Sequence, residues 1–358
     1  MEANLLKNNT LLFSYQQGLL KWYIEHKRDL PWRQFPNFYH VWISEIVLQQ
    51  TQVKQGLNYY LRFIEAFPNV ECLAQASEDE VLKMWEGLGY YSRARNLHFA
   101  AKQIAASGKF PETYKGWLAM KGVGPYTAAA ISSIVAKEPR AVVDGNVQRV
   151  LSRLLNYHTA VNSTQGLKDI QAYAERLLYK EEPGDYNQAL MELGARVCKP
   201  KNPNCAECPV QEFCLANTIG TVLELPVKEK KIKVRPRFLN FYLIVNDGNI
   251  LLAKRGKGDV WEGLYQFPLI ETTDENELPN PVKAGVLTRA ELNRVDLLWK
   301  GTHILSHQKL NITCWLLKSK TDKLVIDNYN WYAVAELENL ALPRPLRKII
   351  SEYFVVVE

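Results

Sequence analysis

Apolar residues recur at three- and four-residue spacing through 12–24, 43–67, 97–106, 127–135 and 147–155, the period that turns one helix face toward a core. Ser77, followed by Glu78, Asp79 and Glu80, offers a capping hydroxyl and acidic residues at a helix start, where the dipole favours them. Turn formers punctuate these segments at Pro68-Asn69, Ser107-Gly108, Gly122 to Pro125 and Pro183-Gly184. After Pro226 the texture changes. Residues 238–245 are aromatic and β-branched, Asn246-Asp247-Gly248-Asn249 predicts a hairpin turn, and 250–253 predicts the returning strand. Further strands are predicted at 312–317 and 324–326, a closing helix at 345–354 and an exposed acidic loop at 271–281. The fold class is therefore α+β in two domains: an all-α domain at 1–225, a linker at 226–237 and an α+β domain at 238–358.

Composition narrows the function classes. With 358 residues, 47% hydrophobic and 23% charged, the chain is neither disordered, collagenous nor a disulfide-stapled miniprotein. No run approaches the roughly 18 apolar residues of a membrane helix. The first residues lack a basic stretch followed by a long apolar region, so a cytoplasmic protein (nucleoid-associated in a bacterium) without membrane contact is expected. The net charge of +6 is not spread evenly. Lys228, Lys230, Lys231, Lys233, Arg235 and Arg237 against Glu229 place +5 of it in the linker. Such a stretch is expected to add sequence-independent affinity for a nucleic-acid backbone.

Four of the six cysteines crowd into 198–214 as C-x6-C-x2-C-x5-C, among Pro200, Pro203 and Pro209. Buried free thiols and disulfides are alternatives, but the pattern favours a four-thiolate metal site. Structural zinc usually shows two close Cys pairs, and here only Cys205 and Cys208 form one. A cubane takes four thiolates at uneven spacing.

Upstream, Gly122-Val123-Gly124-Pro125 joins two predicted helices. It leaves a row of backbone N–H donors at a helix N-terminus, suited to a phosphate. Val142-Val143-Asp144-Gly145-Asn146-Val147 then holds an aspartate in a turn before the next helix, a position where a plain helix cap is the alternative. Together with the four-Cys loop, these motifs resemble the helix-hairpin-helix DNA glycosylases related to endonuclease III. The resemblance implies a helix-hairpin-helix at about 113–136 and a [4Fe-4S] cluster on Cys198, Cys205, Cys208 and Cys214. The bifunctional branch of that superfamily carries a catalytic lysine two residues after the second hairpin glycine, and here Tyr126 stands there. A phenol cannot form a Schiff base, so the expected chemistry is hydrolytic.

Within the superfamily, Leu30-Pro31-Trp32-Arg33, Ser44-Glu45 to Leu48-Gln49-Gln50-Thr51, Gly87-Leu88-Gly89-Tyr90-Tyr91 and Met191-Glu192-Leu193-Gly194 resemble the adenine DNA glycosylases. That resemblance implies catalytic roles for Glu45, Asp144, Tyr126 and Asn146, and an adenine pocket containing Arg33 and Glu192. It places Gln50, Thr51, Leu88, Tyr90, Gly122, Val123 and Gly124 at the DNA. Trp261 to Pro268 resembles the start of a Nudix-like domain, although residues 289–292 lack the acidic pair that would hold magnesium. In the family such a domain senses 8-oxoguanine opposite adenine, through a Phe-Ser-His loop for which Leu305-Ser306-His307 is the candidate. Leu305 and Lys121 depart from the family's Phe and Pro. The expected partner is double-stranded DNA with adenine opposite 8-oxoguanine or guanine, bound by a monomer. Rival readings are a thymine or uracil mismatch glycosylase and a non-catalytic iron–sulfur DNA-binding protein.

Overall fold

The computed structural model describes residues 4–229, 234–275, 277, 279–288, 294–319 and 326–357. They fold as two compact units, Met1–Ala74 with Phe99–Lys230, and Gln75–His98 with Lys231–Glu358. The first unit is helical. Its helices are α1 (Asn9–His26), α2 (Pro31–Gln34), α3 (Phe38–Leu48), α4 (Val53–Ala66) and α5 (Val70–Gln75), the last ending at the unit's boundary. Two helices begin within Gln75–His98, α6 (Glu78–Met84) and α7 (Ser92–Ser107), the latter continuing into the first unit's residues. Then come α8 (Tyr114–Leu118), α9 (Pro125–Val135), α10 (Gly145–Leu154), α11 (Thr164–Leu177), α12 (Pro183–Arg196) and α13 (Leu215–Ile219).

The helical core brings Tyr15, Leu19 and Tyr23 of α1 against Val150, Leu151 and Leu154 of α10 and Leu190 and Leu193 of α12. At α12, a Cβ on Gly184 would lie 2.7 Å from the Ile134 Cα and the Ser133 carbonyl oxygen, so only glycine permits this approach to α9. Asp144 caps α10 and Gly124 precedes Pro125 at the first position of α9, where a missing N–H costs nothing.

The second unit carries a seven-stranded mixed sheet among the described residues. Its strands are β1 (Arg235–Asn246), β2 (Asn249–Lys254), β3 (Tyr265–Gln266), β4 (Leu269–Thr272), β5 (Val295–Ile304), β6 (Gln308–Lys318) and β7 (Asn330–Ala333). The main path runs β3-β2-β1-β6-β5, with β4 on β1 and β7 on β2; β1 and β6 pair in parallel and the other pairs are antiparallel. Helix α14 (Arg344–Val357) closes the unit.

The units differ from the expected division at two places. Residues 75–98 belong with the C-terminal unit because polar contacts tie them there: Glu86 takes two hydrogen bonds from Arg347, at 2.7 and 2.9 Å, Asp79 pairs with Lys254 at 2.7 Å, and Arg95 reaches the Glu262 carbonyl. The linker is also shorter than 226–237, since Arg235 and Arg237 already form β1. Lys230, Lys231 and Lys233 lie outside the described residues, as do residues 289–292 and most of the strand predicted at 324–326. The acidic loop begins later than 271, because Glu271 and Thr272 end β4. No helix among the described residues is long and apolar enough to cross a membrane.

Candidate active site

Helix α3 positions the first carboxylate. Seven of its eleven residues are buried, among them Trp42, Ile43, Ile46 and Val47. Each such side chain contributes about 1.5–3 kcal/mol on burial, enough together to hold one carboxyl group away from water. Glu45, between them, faces a cavity of about 640 Å³ in the helical unit, a volume suited to a small organic ligand. Burial pushes its pKa up to about 7; the Tyr126 hydrogen bond and the Arg33 charge oppose the shift, and Asp144 adds to it. Near neutrality Glu45 therefore holds a proton a substantial part of the time.

Asp144 lines the same cavity but is served differently. Its Oδ1 accepts the Val147 N–H at 2.7 Å and its Oδ2 accepts the Asn146 side-chain amide at 2.8 Å, at the positive end of α10. Burial raises its pKa, while those N–H donors and Arg149 favour the anion. One acid thus keeps its proton among apolar groups and a phenol, and the other is surrounded by donors that stabilise negative charge. Asn146 is fixed in turn by Arg149, whose guanidinium gives hydrogen bonds to Asn146 Oδ1 at 2.9 Å, Gly194 O at 2.7 Å and Cys198 O at 2.8 Å. A Cβ on Gly194 would come within 2.7 Å of the Asn146 Cβ, so glycine is needed there. The Tyr126 hydroxyl also lies 3.5 Å from the Met191 sulfur, and burial lifts its pKa far above the ordinary phenol value.

A third carboxylate forms the cavity's polar wall. Glu192 is fully buried in a double clamp: Arg28 donates from Nε and Nη2 at 2.6 and 2.9 Å, and Arg33 from Nη2 at 2.9 Å. Burial would raise the Glu192 pKa, but the two guanidiniums outweigh it and hold the group below the usual carboxylate range. Arg33 is oriented by Gln188 Oε1 at 3.0 Å and by the Tyr23 ring.

Of the residues expected at the DNA, Gln50 and Thr51 border this cavity, and Gln50 adopts a left-handed backbone (φ 55°) just after α3. In the hairpin, Gly122 has φ 78° and Gly124 caps α9, as a tight turn requires. Val123 and Leu88, also expected at the DNA, are buried in this structure, at 6% and 7% exposure. In the C-terminal unit Tyr90 is exposed with φ 50°, and its hydroxyl is hydrogen-bonded to the Ser306 hydroxyl. Both line a second cavity of about 440 Å³, with His307, Trp261 and Asp259 on its walls.

Cys198, Cys205, Cys208 and Cys214 line one further cavity with Arg153. No three His, Cys, Asp or Glu among the described residues are grouped as one metal ion requires, whereas a cubane spreads its four ligands around a larger body. Burial pushes the bare Cys208 thiol up to about 12 and raises Cys205 and Cys214, so these sulfurs become thiolates only when a cation replaces the proton. Arg153 Nη1 lies 3.3 Å from the Cys198 sulfur and donates to the Lys199 carbonyl, while its Nε donates to the Leu225 carbonyl. The donor set fits an iron–sulfur cluster.

Comparison with known proteins decides the family. Residues 43–177 match the HhH-GPD superfamily of base excision DNA repair proteins, 198–214 the iron–sulfur binding domain of endonuclease III, and 240–352 the NUDIX domain. Human adenine DNA glycosylase is 41% identical over 95% of this chain and 74% of its own length. The adenine DNA glycosylase of Buchnera aphidicola subsp. Baizongia pistaciae is 33% identical over 96% of this chain and 97% of its own. The chain belongs to the adenine DNA glycosylases.

As a member of that family it is a DNA-binding hydrolase of base excision repair, acting on an N-glycosidic bond and carrying a [4Fe-4S] cluster in the 198–214 loop. A thermostable thymine-DNA glycosylase shares the helical fold (TM-score 0.54, 27% identity, 59% of this chain and 98% of that one). An endonuclease III trapped on DNA shares the fold at 18% identity (TM-score 0.51, 60% of this chain and 98% of that one). Sequence reasoning missed two polar residues of this glycosylase cavity. Arg28 sits five residues before Arg33 across the Leu30-Pro31-Trp32 turn, and Gln188 lies one helical turn before Glu192 on α12, a spacing that puts both on one face.

Proposed function

We propose that this glycosylase is monofunctional and removes adenine paired with 8-oxoguanine, and less selectively with guanine. The observation that carries the chemistry is the unequal treatment of two carboxylates in one cavity, Glu45 near pKa 7 and Asp144 among N–H donors. Adenine leaves deoxyribose poorly until a ring nitrogen is protonated. Glu45 donates its proton to N7 of the extruded base, the C1′–N9 bond breaks, and its electron pair departs with adenine. The sugar is left as an oxocarbenium-like cation, which the Asp144 carboxylate stabilises with Asn146 and the Tyr126 hydroxyl beside it. Water then adds to C1′, and its proton passes to the now ionised Glu45. Glu192, held by Arg28 and Arg33, accepts the adenine amino group.

The monofunctional reading rests on Tyr126, which offers no amine for a Schiff base. Lys54 is the one lysine among the cavity's described lining residues. Held by the four thiolates, the cluster supplies iron–sulfur bonds that cross-link its loop. Opposite the adenine, oxidation gives 8-oxoguanine an N7–H donor that guanine lacks. Ser306, exposed and already hydrogen-bonded to Tyr90, is the acceptor for it, beside His307. Gln50 and Tyr90 enter the duplex, and the hairpin N–H groups of 122–124 hold a phosphate. Lys228 and the remaining linker lysines add backbone affinity.

The test is Glu45→Gln, an isostere that cannot donate the proton. Base release should fall by roughly 10³-fold or more, while binding of the adenine–8-oxoguanine duplex survives. Excision at the unaltered rate refutes the acid assignment. Borohydride should trap no enzyme–DNA adduct; an adduct lost in Lys54→Ala would overturn the monofunctional reading.

A further inference from the structure

Arg237 belongs to the basic stretch expected at the DNA backbone, yet its side chain is only 10% exposed and its guanidinium donates to neighbouring side chains. Nε donates to Glu271 Oε1 at 2.8 Å; Nη1 donates to Asp259 Oδ1 at 2.5 Å and Gln308 Oε1 at 3.2 Å; Nη2 donates to Asp259 Oδ2 at 2.8 Å and Glu271 Oε2 at 2.7 Å. These contacts engage the five N–H donors a guanidinium possesses, leaving none for a phosphate.

The three partners come from separate parts of the C-terminal unit. Glu271 is on β4, Asp259 is in the loop between β2 and β3, and Gln308 is the first residue of β6. Asp259 Oδ2 also accepts a hydrogen bond from Arg255, which reaches Gln266 on β3 as well, and Oδ1 accepts the Val260 N–H at 2.7 Å. Gln308 closes the 305–307 turn, its carbonyl accepting the Leu305 N–H at 2.8 Å, and the His307 carbonyl accepts the Arg235 N–H at 3.1 Å. Asp259 and Gln308 are both walls of the cavity that contains Ser306 and Tyr90. The hydrogen bonds from Arg237 hold Asp259 well below the usual carboxylate range, so the clamp stays charged through neutral pH.

Resting on the reading of Ser306 as the lesion sensor, we infer that Arg237 is a positioning residue for the base opposite adenine, locking the 305–307 turn to the Asp259 loop. A fixed spacing lets a single hydroxyl discriminate, because a hydrogen bond misplaced by about 1 Å loses most of its selectivity.

Two variants test this. Gln308→Leu removes only the contact between the guanidinium and the turn, and Arg237→Lys keeps the charge but replaces the planar fork with a point donor. Single-turnover excision opposite 8-oxoguanine and opposite guanine is measured at two salt concentrations, with melting temperature. Both variants should lower the 8-oxoguanine to guanine rate ratio several-fold, and by no more than Ser306→Ala does, while the salt dependence is kept. An unchanged ratio with a lower melting temperature would make Arg237 a stability residue only. An equal fall at both mispairs with a shallower salt dependence would make it a phosphate contact. Ser306→Ala, run alongside, separates the two layers of the argument. If it leaves the ratio unchanged, the sensor reading fails; if it lowers the ratio and the other two do not, this inference alone fails. Gln308→Leu loses one neutral hydrogen bond, so it carries the test if Arg237→Lys does not fold.

Discussion

The cavity in the helical unit and the 305–307 turn in the C-terminal unit use polar groups in opposite ways. In the cavity the polar groups are withdrawn from water, and burial changes what they are: Glu45 keeps a proton near neutrality and Glu192 stays ionised only because two arginines enclose it. At the turn, Ser306 and His307 are exposed, and the charged groups stand behind them in Arg237, Asp259 and Arg255. Chemistry requires an altered side chain at the reacting atom. Recognition requires an ordinary one held in the right place.

Perturbing the cavity should therefore slow excision at every mispair, and perturbing the turn should change only the choice between them. After Glu45→Gln, the largest effect is expected for Arg28→Ala. It leaves Glu192 buried with one arginine instead of two, a loss on the order of 3 kcal/mol, and excision should slow roughly 10²-fold opposite both 8-oxoguanine and guanine. A changed rate ratio would show that the cavity also reads the opposite base. The next is the pH dependence of single-turnover excision. The acid must be protonated to act, so the rate should decline by about tenfold per unit as pH rises above about 7, equally at both mispairs. A flat profile to pH 9 would remove Glu45 from the proton transfer. The smallest is Ser306→Ala, which should cost less than about tenfold opposite 8-oxoguanine and nothing opposite guanine. A loss of similar size opposite guanine would place Ser306 in general DNA binding.

Local signals carried much of this into view before the fold was seen. Ser77 caps a helix as expected, in a reciprocal box with Glu80, and Asp247-Gly248 makes the expected two-residue hairpin with both residues at positive φ. The closing helix stands at Arg344–Val357. Strand β5 was not foreseen. It is an edge strand with a bulge near Leu297 and Trp299, none of its residues is fully buried, and its burial alternates only past the bulge. The short strands β3, β4 and β7 carry too few residues for a period to register. Arg28 and Arg237 escaped for a different reason. Their partners Glu192 and Asp259 are 164 and 22 residues away, and nothing local distinguishes a guanidinium destined for a buried clamp from one destined for solvent. Charge counting placed Arg237 in a basic linker, and only the fold puts it between Glu271 of β4 and Asp259 of the β2–β3 loop.

The central claim is tested most directly by single-turnover base release from three duplexes, with adenine opposite 8-oxoguanine, adenine opposite guanine, and thymine opposite guanine. Free adenine should appear from the first two, faster from the first, and no thymine from the third. Release of thymine, or adenine release that is no faster opposite 8-oxoguanine than opposite guanine, would contradict it.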